Sequence, residues 1–168
     1  MTVRQLDRAA FVDRFGGVFE HSPWVAEAAF DAGLNDSCET ASGLHKKMAA
    51  AMMAGDDAAK LALINAHPDL AGRLARAGRL TPDSTREQAS AGLDQLTDEE
   101  RARFTELNDA YKARFGFPFI MAVKGRSKAE IMEAFERRIA HDRVQEFATA
   151  LDQISRIALL RLTDMLPD

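Results

Sequence analysis

The sequence predicts an all-α fold, a single compact domain of seven to nine helices with one buried extended connector at about residues 117–123. Three observations predict it. Helix-start and helix-stop residues punctuate the chain throughout. Between them, apolar residues recur at three- and four-residue steps, and strand signals are scarce. The 168 residues suit one domain, here 1–168, and folding a chain of this size buries roughly two thirds of its unfolded surface, enough for a core without disulfide or metal staples.

Each element has its own warrant. Ser22 before Pro23 reads as an N-cap with proline at the first helical position, and Gly33 as the stop. Residues 39–54 read as an Ala/Met-rich helix ending before Gly55. A second helix over 56–66 is cut at His67, because a residue before proline is pushed out of the α region. Three Ser/Thr-x-x-Glu boxes follow, Ser84 to Glu87, Thr97 to Glu100 and Ser127 to Glu130, each a capping-box signature. The helix after Thr97 runs to Gly116 and carries Phe104, Leu107 and Tyr111 on one face. The helix after Ser127 buries Ile131, Phe135 and Ile139. The last helix, about 142–166, is the longest and has an apolar seam of Val144, Phe147, Leu151, Ile154, Ala158, Arg161 and Met165.

The stretch from Phe117 to Val123 does not read as helix. It is apolar, contains Pro118, and lies between Gly116 and Gly125. Buried backbone there must find hydrogen-bond partners, and without a sheet these are either supplied by packing around a hydrophobic plug or by the polar groups of a ligand.

Composition narrows the function classes. A net charge of −4 is a poor footprint for nucleic acid, which selects a basic face. The single cysteine, Cys38, excludes an internal disulfide framework and points to a reducing compartment. No apolar run approaches the ~20 residues of a membrane helix. The opening MTVRQLDRAAF lacks the apolar stretch of a signal peptide, and the closing DMLPD is not a peroxisomal tripeptide. The expected location is the cytoplasm, with no membrane or nucleic-acid partner.

Of the four histidines, His21, His45, His67 and His141, none pair at metal-ligand spacing, and phosphate-loop and nucleophile-elbow motifs are missing. No metal site is expected. His67 ends an apolar stripe with Leu61 and Ile64 and abuts Pro68. That setting suits a positioned acid or base near neutral pH, and equally a histidine interacting with a helix C-terminus. Glu87 either closes a capping box onto Ser84 or stands at an anion-binding helix start. Arg161 occupies a core position in the last helix, so it needs an anion: an internal carboxylate, a bound one, or escape to solvent past Met165.

Three separated stretches form a specific combination: His67-Pro68-Asp69-Leu70-Ala71-Gly72; Ser84-Thr85-Arg86-Glu87-Gln88 with Ala91-Gly92-Leu93; and Phe115-Gly116-Phe117-Pro118-Phe119-Ile120 running to Val123. With these, and Leu160-Arg161-Leu162, the chain resembles the 2-oxo-4-hydroxy-4-carboxy-5-ureidoimidazoline (OHCU) decarboxylases of urate degradation over nearly its whole length. The resemblance implies an all-helical, cofactor-free carboxy-lyase, usually a homodimer, that converts an anionic ureidoimidazoline to (S)-allantoin. It implies that His67, Glu87 and Arg161 are catalytic. It also implies that Pro68, Ser84, Thr85, Arg86, Gln88, Phe119, Ile120, Met121, Ala122 and Val123 bind substrate, several through backbone atoms. His141 stands where the family has asparagine, and Met121 where a branched aliphatic is commoner. The readings from another class are a non-catalytic helical binding or regulatory domain and a metal-dependent ureide hydrolase.

Overall fold

Side-chain caps set most helix starts. In the computed structural model, which describes residues 1–72 and 78–167, Asp7 caps α1 (Arg8–Phe15) by accepting the Ala10 N–H at 2.8 Å. Next comes α2 (Trp24–Asp31), stopped at Gly33, whose φ of 92° suits a residue without a Cβ. Thr40 caps α3 (Ala41–Met53) and Asp56 caps α4 (Asp57–Asn65). Thr81 caps α5 (Pro82–Ser90). Complete capping boxes, Thr97 with Glu100 and Ser127 with Glu130, open α6 (Asp98–Phe115) and α7 (Lys128–Arg138). Asp142 accepts the Gln145 N–H at the start of α8 (Arg143–Met165). With two short 3-10 turns at Val3–Gln5 and Asp36–Glu39, these eight α-helices are the regular structure of the described residues, and no strand occurs among them. The all-α expectation holds. Asp168, the end of the DMLPD tail, lies outside the described residues.

Four details differ from the sequence reading. Ser22 does not cap α2 with its side chain; its hydroxyl donates to the Glu20 carbonyl at 2.9 Å, and the Ser22 carbonyl accepts the Val25 N–H instead. The helix containing Ser84 starts earlier, because Thr81 with Pro82 behind it is the better start signal, so Ser84 sits inside the first turn. In α7 the buried position after Phe135 is Arg138, three residues on, and Ile139 is only half-buried as the C-cap. In α8, Val144 is 81% exposed, and the seam begins instead at fully buried Glu146, reached from Ile154 and Ala150 by steps of four.

The chain forms two compact units, Met1–Ala66 with Ile154–Asp168, and His67–Gln153. In the first, α1, α2 and α3 pack around Phe11, Phe15, Val25, Leu44, Met48 and Met52, all sealed from solvent. Phe11 lies 5.1 Å from the Phe15 ring and 5.5 Å from Phe30. The Glu39 carboxylate clamps the N-terminal turn by accepting the Val3 N–H at 2.8 Å and the Arg4 N–H at 3.0 Å. His45 Nε2 reaches the Ser155 carbonyl and hydroxyl, both at 2.9 Å.

The second unit is built around an aromatic cluster. Tyr111 on α6 contacts Phe115, Phe117, Phe119 and Phe135, with ring centroids 4.5 to 6.1 Å away. Phe119 and Phe135 stack at 3.9 Å. Burying rings of this size contributes about 1.5–3 kcal/mol each relative to exposure. The consequence is that the non-helical stretch 117–123 is pinned by its own phenylalanines. α6 ends at Gly116 with φ 78°, a left-handed stop that turns the chain into this stretch. No described helix is long and apolar enough to cross a membrane.

Candidate active site

His67 is 8% exposed, at the head of the second unit. The turn after it is tied down from two helices. Gln88 on α5 accepts the Ala71 N–H at 2.9 Å. From α6, Asn108 donates to the Leu70 carbonyl at 2.8 Å, and Lys112 pairs with Asp69 at 2.9 Å. The backbone here is unusual. Ala71 has φ 53°, a left-handed conformation that costs a non-glycine residue on the order of 1 kcal/mol and persists only where its surroundings enforce it. A Cβ at Gly72 would stand 2.6 Å from the Asp69 Cβ, so the chain approaches itself too closely for any side chain. The turn from His67 to Gly72 is therefore a constrained structure, held by side chains from α5 and α6.

α5 carries the second motif. Ser84 and Gln88 are one helical turn apart and buried, and Glu87 is half-buried beside them. Because Thr81 is the cap, Glu87 is three positions too far along to close a capping box, and the structural job the sequence offered it is taken by another residue. Thr85 is exposed, its hydroxyl bonded to the Thr81 carbonyl at 2.9 Å. The Arg86 side chain is 70% exposed and pairs with Asp83 on its own helix, so any inward role falls to the Arg86 backbone. A cavity of about 410 Å³ opens between Ala71, Leu80, Thr85, Gln88, Leu93 and Arg101, a volume within the range of small-molecule sites. Neither His67 nor Glu87 lines it.

The third motif, Phe119 to Val123, joins the same unit through α6. The helix presents Asn108 and Lys112 to the His67 turn and Tyr111 to the Phe119 ring, 5.4 Å away. Phe119, Ile120 and Val123 are buried, and Met121 and Ala122 half-buried. Two polar side chains hold the backbone: Arg138 Nη1 donates to the Ile120 carbonyl at 2.6 Å, and Gln153 accepts the Ala122 N–H at 3.0 Å.

Beneath lies a buried charge cluster that the sequence reading missed. The fully buried Glu146 carboxylate accepts from the Tyr111 hydroxyl at 2.6 Å and from Arg138 Nε at 2.9 Å, and its other oxygen meets His141 Nδ1 at 2.9 Å. Burial first, then the bond to Glu146, pushes the Tyr111 hydroxyl far above the usual tyrosine range. His141 is thus one of the carboxylate's partners. The available signal was the four-residue step from Ile154 back through Ala150 to Glu146.

Arg161 belongs to the other unit, where its Nη2 lies 2.8 Å from Glu20 Oε2 and its Nη1 3.3 Å from the Val18 carbonyl. Of the partners the sequence left open, an internal carboxylate is present. Among the described residues, no group of three or more His, Cys, Asp or Glu is arranged to hold a metal ion.

The comparisons with known proteins agree with one another. The family model described as OHCU decarboxylase matches residues 4–163. The chain is 43% identical to the OHCU decarboxylase of Halalkalicoccus jeotgali, over 97% of this chain and 89% of that protein. It is 41% identical to the uric acid degradation bifunctional protein PucL of Bacillus subtilis, over 99% of this chain but 32% of that longer protein. Among solved structures it resembles an (S)-allantoin synthase with a TM-score of 0.77 and 34% identity, covering 99% of this chain and 54% of that one. With a family model spanning nearly all of its length and relatives this similar, the chain belongs to the OHCU decarboxylase family.

Proposed function

We propose that this chain catalyses the reaction of its family, decarboxylation of 2-oxo-4-hydroxy-4-carboxy-5-ureidoimidazoline to (S)-allantoin in urate degradation, with His67 and Glu87 as the acid/base pair and Arg161 as fixed positive charge. The observation that carries the reading is the family match across residues 4–163, which includes all three residues. Two structural facts support it: His67 is buried in a turn held from α5 and α6, and Glu87 is released from capping duty by Thr81.

The chemistry is within reach of such groups. When the substrate carboxylate leaves as CO₂, its bonding electron pair remains on the ring carbon. The ring imine next to that carbon takes up the pair, in conjugation with the 2-oxo group, and the 4-hydroxyl gives up its proton to become the product carbonyl. The protein's task is therefore to orient the carboxylate, stabilise the developing charge and deliver one proton to one face of the ureido-bearing carbon. His67 and Glu87 act at the hydroxyl, the carboxylate or the carbanion centre. The apolar Phe117 to Val123 stretch excludes water and favours neutral CO₂ over the carboxylate. Pro68, the stretch Ser84 to Gln88, and Phe119 to Val123 contact substrate, the exposed Arg86 through its backbone. The same reading takes the protein to be a cytoplasmic homodimer working without cofactor.

The test is optical. Freshly generated OHCU, followed by circular dichroism, accumulates (S)-allantoin faster with the protein than in buffer. His67→Asn lowers that rate by 10²–10⁴, the usual contribution of a general acid or base, with the thermal midpoint unchanged. A wild-type rate in the variant removes His67 from the mechanism.

A further inference from the structure

Residues 119–123 have no helix or sheet to fix their backbone, yet a backbone that binds a ligand must be held in one orientation. Two peptide groups in it are anchored. The Ile120 carbonyl points at Arg138, and the Ala122 N–H points at the Gln153 side-chain carbonyl. All described peptide bonds are trans, and in a planar trans peptide the C=O and N–H point in opposite directions. The Met121 N–H, which shares its peptide with the Ile120 carbonyl, is therefore turned away from Arg138. The Met121 carbonyl, which shares its peptide with the Ala122 N–H, is turned away from Gln153. Neither Met121 group has a hydrogen-bond partner among the described residues, although the segment is mostly buried.

The anchor on the Arg138 side is rigid. Its guanidinium is 5% exposed, donates Nε to Glu146, and lies 4.3 Å over the Phe119 ring. Glu146 is in turn fixed by Tyr111 and His141. The buried Nη2 of Arg138 makes no hydrogen bond among the described residues. The guanidinium is thus not placed to complete its own bonding; Glu146, the Phe119 face and the Ile120 carbonyl set its position.

We infer that Arg138 and Gln153 are positioning residues: by anchoring the Ile120 carbonyl and the Ala122 N–H, they turn the Met121 N–H and C=O outward as a donor–acceptor pair for the amide-like edge of the substrate. A ureido group or ring amide offers the complementary C=O and N–H. The inference rests on the reading that residues 119–123 contact substrate.

The experiment compares wild type, Gln153→Met and Arg138→Lys. Steady-state kcat and KM are measured with freshly generated OHCU, alongside thermal unfolding and amide exchange of the 117–125 segment with and without (S)-allantoin. Gln153→Met removes the acceptor while keeping the length of the side chain. It is expected to stay folded with wild-type kcat, to lose a few degrees of thermal midpoint because the Ala122 N–H loses its acceptor, and to raise KM about fivefold to tenfold, the effect of one positioned hydrogen bond. (S)-allantoin slows exchange across the segment in wild type and does so less in the variant. Arg138→Lys keeps the charge beside Glu146 but loses the fork that serves Glu146 and Ile120 together, and raises KM at least as much. Should the lysine variant fail to fold, Gln153→Met decides alone. A wild-type KM in folded Gln153→Met, with full protection by (S)-allantoin, overturns the positioning role and leaves the substrate-contact reading intact. No protection of the wild-type segment overturns the contact reading, and the positioning role with it.

Discussion

Arg161 Nη2 stands 2.8 Å from Glu20 Oε2, and both side chains are almost sealed from solvent. A buried pair of this kind makes a sharp distinction between removing one partner and removing both, because the loss of one leaves the other charged and desolvated. Arg161→Met is expected to destabilise the protein by ~3–5 kcal/mol, and Arg161→Met combined with Glu20→Leu to recover most of that loss. Urea midpoints measure both. If Arg161 also serves the reaction, the double variant folds and remains inactive. Recovery of activity together with stability would make the arginine a purely architectural residue.

Glu87 is expected to matter for rate and not for stability. Its helix is capped by Thr81, so Thr81→Ala should cost about 1 kcal/mol, while Glu87→Gln should leave the thermal midpoint unchanged and cut turnover at least ~100-fold. Parallel losses of stability and activity in Glu87→Gln would mean a structural role after all.

Tyr111 is the chain's single tyrosine, which makes its ionisation directly visible in the ultraviolet. Burial, and then the hydrogen bond to Glu146, raise the folded pKa above the unfolded value near 10. The associated stability is fully present below pH ~10 and is lost as pH rises toward the folded value. Phenolate absorbance should therefore stay absent in the folded protein past pH ~10 and appear with unfolding. A titration midpoint near 10 with retained helical circular dichroism would contradict the buried bond.

Glu39 responds at the other end of the scale. The Arg4 N–H it accepts, followed by the Val3 N–H and the Arg4 charge, holds its carboxyl below the usual range against a partial desolvation cost. The folded pKa lies below the unfolded one, so the clamp's contribution is present above pH ~4.3 and fades as pH falls through the folded value. Amide protection factors at Val3 and Arg4 should fall over that acid range, and in Glu39→Gln they should be low and nearly independent of pH. Protection that is unchanged by the substitution would assign the clamp to other contacts.

The sequence alone determined the features whose causes are local. Thr97 with Glu100 and Ser127 with Glu130 place helix starts by hydrogen bonds spanning three residues, and Gly116 ends a helix by a backbone conformation available within one. The same locality made the 117–123 stretch readable as non-helical, and the motif residues His67, Glu87 and Arg161 recognisable as a set. Even there, neighbouring start signals competed, and Thr81-Pro82 prevailed over Ser84. Tertiary structure alone decided who meets the buried charges. Glu20 lies near the start of the chain and Arg161 near its end, and Tyr111, Arg138 and Glu146 come from three helices. Coulomb attraction and hydrogen bonding act over a few ångströms of space, whatever the distance along the chain, so only the folded backbone brings such partners together. Seam positions shifted for the same reason. A position periodic enough for valine went to solvent at Val144, and a charged one was buried at Glu146, because partners waited there to satisfy it.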